Sequence, residues 1–196
     1  SKQALMLLCA LFMTGFVCIL MGCGIPTTAN YIIMVTVAAP ALVQMGVEPI
    51  VAHFFVFYYG VLADITPPVA LAAYAAAGMA NSDPFKTGNT AFRLGLGKAL
   101  VPFVFVFSPA LLLVTKGFSW SAFAVVFTAC IASILLLAAA LSRYLLIEMN
   151  SWERALAFSA ALIMIAPGLP MLGLGVVVAL PMLISQWTRS RAAMPT

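Results

Sequence analysis

Apolar residues run in blocks about the length of a membrane span, and the polar residues collect at the few places where those blocks are interrupted. About 20 apolar residues cross a hydrocarbon core roughly 30 Å thick. The first block, 3–21, ends in Gly22-Cys23-Gly24-Ile25-Pro26-Thr27-Thr28, and a second continues over 29–45. That junction holds two glycines and a proline, which break helix, but no charge to keep it in water. Two readings fit: a helical hairpin whose tip rests inside the membrane, and an ordinary tight turn between two spanning helices. The third block, 51–79, is too long for one span and is interrupted at Asp64-Ile65-Thr66-Pro67-Pro68. Two prolines in a row remove N–H donors and clash with the preceding turn, so the helix is expected to break there, near mid-membrane.

Further along, Asn81-Ser82-Asp83-Pro84 signals a loop and a helix start, followed by Lys86, Arg93 and Lys98. A fourth helix is expected over 99–114 and a fifth over 121–141. Between 143 and 154 the chain carries mixed charge and reads as an interfacial or cytoplasmic connection. The last block, 155–184, is split by Pro167-Gly168-Leu169-Pro170, with Arg154 before it and Arg189 and Arg191 after it. If both basic ends share one side, the chain turns back at that split. Basic loops mark the cytoplasmic side, which places Lys86, Arg93 and Lys98 there and Lys116 opposite. The fold class is therefore all-α, a polytopic membrane protein with a helical hairpin and broken helices. Residues 1–115 form one part of the molecule, with a hairpin at 3–46, a broken helix at 51–80 and a last helix at 99–114. Residues 116–196 add further membrane helices.

Composition agrees: 65% of the residues are hydrophobic and 7% charged, with a mean hydropathy of +1.16. A soluble domain of this size needs far more polar surface. The net charge of +4 comes from scattered Lys and Arg rather than a basic face with interleaved aromatics, so nucleic acid is not an expected partner. Cys9, Cys18, Cys23 and Cys130 lie in apolar segments without a CxxC and read as packing residues. The chain opens on Ser-Lys-Gln, without a signal-peptide pattern, and is expected to be a fragment of a longer protein.

Asp64 is the residue that most needs an explanation, because an acid at the centre of a membrane helix costs about 2.5–3.5 kcal/mol on insertion scales. A cation, a proton or a buried partner offsets such a cost, and no Lys or Arg lies in its own block. Thr66 adds a hydroxyl beside it, and the prolines free carbonyl oxygens. The tip contributes a second set of small oxygen donors: Thr27, Thr28, Asn30 and the carbonyls near Gly22 and Gly24. Transporter sites form where discontinuous helices meet. The resulting donor set is Gly22, Gly24, Thr27, Thr28, Asn30, Asp64 and Thr66, beside the helix-breaking Pro26 and Pro67, with sodium at Thr27, Thr28, Asp64 and Thr66, or a proton on Asp64. His53, beside Glu48, reads as interfacial; Tyr58 and Tyr59 read as packing.

The stretches GCGIPTTANYIIMVTVAAPALVQMGVEP, FYYGVLADITPPVALAAYAAAGMA and RLGLGKALVPFVFVFSPALLL resemble the large permease subunit of tripartite ATP-independent periplasmic (TRAP) transporters, in particular the TAXI-type branch with a fused permease. The resemblance runs over 22–113, is most specific over 64–78, and continues more loosely through WERALAFSAALIMIAPG. It implies sodium- or proton-coupled uptake of organic acids by an elevator-type carrier in a bacterial inner membrane. Its implied partners are a periplasmic substrate-binding protein, a small permease subunit or its fused equivalent, and membrane lipid; beyond the coupling ion it implies no cofactor. Dicarboxylate-type members tend to carry a different polar residue near Asp64, which leaves ion and substrate open.

Two other classes were weighed. A membrane enzyme lacks its chemistry here: there is no HExxH, no second intramembrane acid to pair with Asp64 and no Ser-His arrangement. A structural membrane subunit fits the composition but gives Asp64 and the double interruption no purpose.

Overall fold

The computed structural model describes residues 2–113, 118–166 and 168–192. Among them the chain is helical, with one isolated bridge between Tyr144 and Glu148 in place of any sheet. It divides into two compact units, Ser1–Val106 and Phe107–Thr196. Five helices are long and apolar enough to cross a membrane, and a shorter apolar helix covers Pro49–Ile65. In lipid the backbone must satisfy its own hydrogen bonds, which is why helix dominates so completely.

In the first unit, α1 (Lys2–Gly22) and α2 (Thr27–Gln44) form a hairpin. Gly24, at φ +83°, makes the reversal without a side-chain penalty. Pro26 stands just before α2, where a missing N–H costs nothing. The next helix, α3 (Pro49–Leu62), packs against both legs of the hairpin. It gives way to a 3-10 turn over Ala63–Ile65. Thr66 is extended, the Pro67–Pro68 bond is cis, and Ala70 adopts a left-handed conformation at φ +34° before α4 (Leu71–Met79) begins. The break expected at 64–68 is therefore present.

Asp83 caps α5 (Pro84–Gly95): its carboxylate accepts from the Lys86 N–H at 2.7 Å. The sequence suggested a basic loop leading to a helix over 99–114; the structure corrects both bounds. Helix runs from Pro84 through a 3-10 stretch over Leu96–Leu100 into α6 (Val101–Phe107). It ends there because Pro109 keeps Ser108 out of helical geometry, at φ −141° and ψ 73°, and offers no N–H of its own. A core of aromatics locks α6 to α1 and α3, with ring centroids 4.9 Å apart for Phe12–Phe103 and 5.7 Å for Phe55–Phe103.

The second unit stacks α7 (Trp120–Ser142) on α8 (Ser151–Ile165) and α8 on α9 (Leu169–Ala192). Small residues allow close approach: Ala157, Ala160 and Ala161 are buried, and a Cβ at Gly175 would strike Met164. Ser133 Oγ donates to the Ala161 carbonyl at 2.7 Å across α7 and α8. The chain turns back between α8 and α9 at Gly168, φ +107°. Pro167 and Lys116 lie outside the described residues.

Candidate functional site

The hairpin tip sits on the break of the third block. A Cβ added at Gly22 would lie 2.5 Å from Ala63 Cβ and 2.6 Å from Asn30 Nδ2. Gly60 is as closely approached: a Cβ there would meet Asn30 Nδ2 at 3.0 Å. The two glycines thus let Asn30 lie between the end of α1 and the end of α3. Asn30 is almost wholly buried, at 1% exposure. Its Nδ2 donates to the Cys18 carbonyl at 3.3 Å, while its Oδ1 has no hydrogen-bond partner. The amide nitrogen is the atom that approaches Gly22 and Gly60, while the buried oxygen, left unsatisfied, costs free energy and so invites a donor or a cation. Gly24 lies over the break as well, with Val69 3.8 Å from where its Cβ would be.

The nine residues singled out from sequence separate into three places. Gly22, Gly24 and Asn30 meet the break directly. Thr66 is buried there, its hydroxyl donating to the Leu62 carbonyl at 2.7 Å, which satisfies an acceptor at the end of α3. Pro67 follows it in the cis bond. Pro26 and Thr27 open the first turn of α2. Thr28, one residue on, faces a cavity with Tyr31 and His53, whereas Asp64 faces a different cavity, of about 410 Å³, with Tyr58, Ile65, Ala72 and Lys98. Thr28 and Asp64 therefore do not share one chamber in this conformation.

Lys98 is the residue that sequence reasoning missed. It lies on the 3-10 stretch between α5 and α6, in the middle of the apolar run Pro84–Phe107, and it lines the cavity of Asp64. Opposite charges deep in apolar surroundings are expected to face one another. No ion pair joins them here; among the described residues the ion pair is Glu153–Arg189. Tyr59, by contrast, is structural: buried against Gly15, it donates to the Ala99 carbonyl at 2.6 Å and so fixes the stretch that carries Lys98.

A family profile described as Tripartite ATP-independent periplasmic transporter, DctM component, matches residues 2–121. The chain belongs to this family. No curated protein and no solved structure matches it. The DctM match spans the hairpin, the break and the Lys98 stretch, and stops at the start of α7. The broken-helix site thus lies wholly within the DctM region of a TRAP-family membrane protein, and α8 and α9 lie outside it.

The second unit has a polar cluster of its own that the sequence did not signal as buried. Glu153 is fully buried and accepts from Ser185 Oγ at 2.6 Å, Gln186 Nε2 at 2.8 Å, the Asn150 N–H at 2.8 Å and Arg189 at 3.0 Å. Gln186 Oε1 in turn accepts from the Leu146 and Ile147 N–H groups. Apart from the Asn150 bond, which caps α8, each ties the 143–150 connection or the start of α8 to the end of α9, so its chemistry is that of a clamp.

Proposed function

We propose that this chain supplies part of the transport domain of an ion-coupled uptake system for organic acids, of the TAXI type. It works in a bacterial inner membrane with a periplasmic substrate-binding protein and a small permease subunit or its fused equivalent. The observation that carries this reading is the seating of the hairpin tip on the broken helix, with Asn30 buried beside that contact and its oxygen unpartnered. Two discontinuous elements meeting at a polar point are how secondary carriers hold ions against the hydrocarbon.

Asp64 supplies the negative charge of the coupling site, and Thr27, Thr28 and Thr66 supply neutral oxygens. Sodium bound among them replaces lost hydration and offsets the carboxylate; a proton on Asp64 does the same by neutralising it. Thr28 faces a different cavity from Asp64, so an ion held by both requires the first turn of α2 to shift on the seated tip. Substrate and ion each favour that shifted arrangement, which couples them reciprocally.

The test is uptake by the complete permease assembly, reconstituted with its binding protein, for wild type and Asp64→Asn across sodium concentration and pH. The expected result is a loss of uptake of about tenfold or more, within the usual range of coupling effects, with the sodium or pH dependence flattened. Which dependence flattens identifies the ion. Undiminished uptake with both dependences intact would remove Asp64 from the coupling site.

A further inference from the structure

His53 is the one histidine in the sequence, and the structure pairs it with a tyrosine. Tyr31 Oη and His53 Nδ1 share a hydrogen bond of 2.9 Å between α2 and α3. Phe57 holds the tyrosine ring edge-on, centroids 5.7 Å apart at 90°. These three residues line a cavity of about 410 Å³ together with Thr28, Ile50 and Phe54. That volume lies within the range of small-molecule sites.

We propose that this cavity is the seat of the transported anion, and that it selects a monocarboxylate with an apolar body. The inference rests on reading the chain as an organic-acid permease and gives that reading a substrate class. The Tyr31–His53 pair presents a donor to the cavity in either hydrogen-bonding arrangement. If the phenol donates to Nδ1, the neutral imidazole carries its proton on Nε2; if Nδ1–H donates to the phenol oxygen, the phenol O–H is free to point inward. An ionised carboxylate only accepts, so it suits both arrangements. Thr28, whose hydroxyl has no hydrogen bond among the described residues, adds a second donor from the hairpin tip. The remaining walls, Ile50, Phe54 and Phe57, are hydrocarbon. No Lys or Arg lines the cavity among the described residues, so a second carboxylate would meet no cationic partner there. Thr28 also ties substrate to the tip, the element seated on the break.

The experiment measures binding by calorimetry to the complete permease in nanodiscs, with hexanoate, adipate and hexanamide as probes. Hexanoate is expected to bind at least about tenfold more tightly than either of the others, as loss of a charge-assisted bond or a second charge left without a cationic partner requires. Tyr31→Phe and His53→Ala should each weaken hexanoate about tenfold, and the double variant by no more than the larger single effect, because the two act as one unit. His53→Gln, which keeps a donor, should restore most of the affinity and serves as the fold control. Adipate binding as tightly as hexanoate, no detectable hexanoate binding, or unchanged affinity in both single variants would each overturn the assignment. This readout is independent of ion coupling: loss of the Asp64 effect on uptake with the hexanoate pattern intact would sink the coupling scheme and leave the seat standing, and the reverse result would do the opposite.

Discussion

At Gly22 the absence of a side chain is what lets two elements meet. A methyl group there would overlap the Ala63 methyl and the Asn30 amide, with the Gly60 carbonyl 3.3 Å away and unable to yield. Overpacking of this kind costs about 1–3 kcal/mol. Gly22→Ala is therefore expected to lower the thermal midpoint of the purified protein by several degrees and to depress uptake, whereas Gly78→Ala, with open space around it, should change neither. Equal melting curves for the two variants would show that the tip does not rest on the break. Asn30 was legible as a small oxygen donor near a glycine-rich turn; that its amide is buried against Gly60, thirty residues along the chain, was not. The same holds for Lys98. Its block contains no acid and the block of Asp64 contains no Lys or Arg, so only the packing of the 3-10 stretch beside the break reveals that they face one cavity.

Among the elements, the breaks were the readable part. Paired glycines around 22–24 and paired prolines at 67–68 have local causes that a sequence states outright, and both interruptions stand where they were expected. The bounds of the following helix were harder to read, because Lys86, Arg93 and Lys98 look like loop residues while Asp83 and Pro84 start a helix ahead of them. The 143–154 connection was read as solvated mixed charge, yet Glu153 is buried and Arg189 returns from α9 to meet it. Removing one member of a buried ionic cluster strands the others. Glu153→Ala is accordingly expected to destabilise the α8–α9 hairpin by about 1–3 kcal/mol, the cost of leaving the Ser185 and Gln186 groups without their acceptor, since Arg189 keeps access to solvent. The measurement is limited proteolysis of the 143–150 connection, which should become sensitive in the variant. Continued resistance would show that helix packing, and not the clamp, holds that end.

For the molecule as a whole, the family match and the compact units draw the same broad division. The DctM match covers the unit with the hairpin, the break and both cavities, while most of the second unit lies beyond it. Asp83 and Lys86 mark the start of the span Pro84–Phe107, and the rule that basic ends stay in the cytoplasm orients it. A cysteine placed at Lys86 in the complete permease should therefore resist a membrane-impermeant thiol reagent applied to intact cells and react once the cells are opened. Labelling from outside would invert the assignment for every helix before it.

The tip and the break also differ in how they are held. Asn30 binds Cys18, a partner on its own hairpin, and among the described residues no hydrogen bond joins 22–28 to 63–70. What holds the tip down is contact between small atoms at Gly22, Gly60 and Ala63. Dispersion fades within an ångström of separation, while hydrogen bonds must find new partners before old ones can be released. A surface seated by contact alone lifts and returns as one stiff piece, without exchanging bonds along the way. In a carrier that must open and shut once for every molecule moved, that is the difference between a latch and a weld.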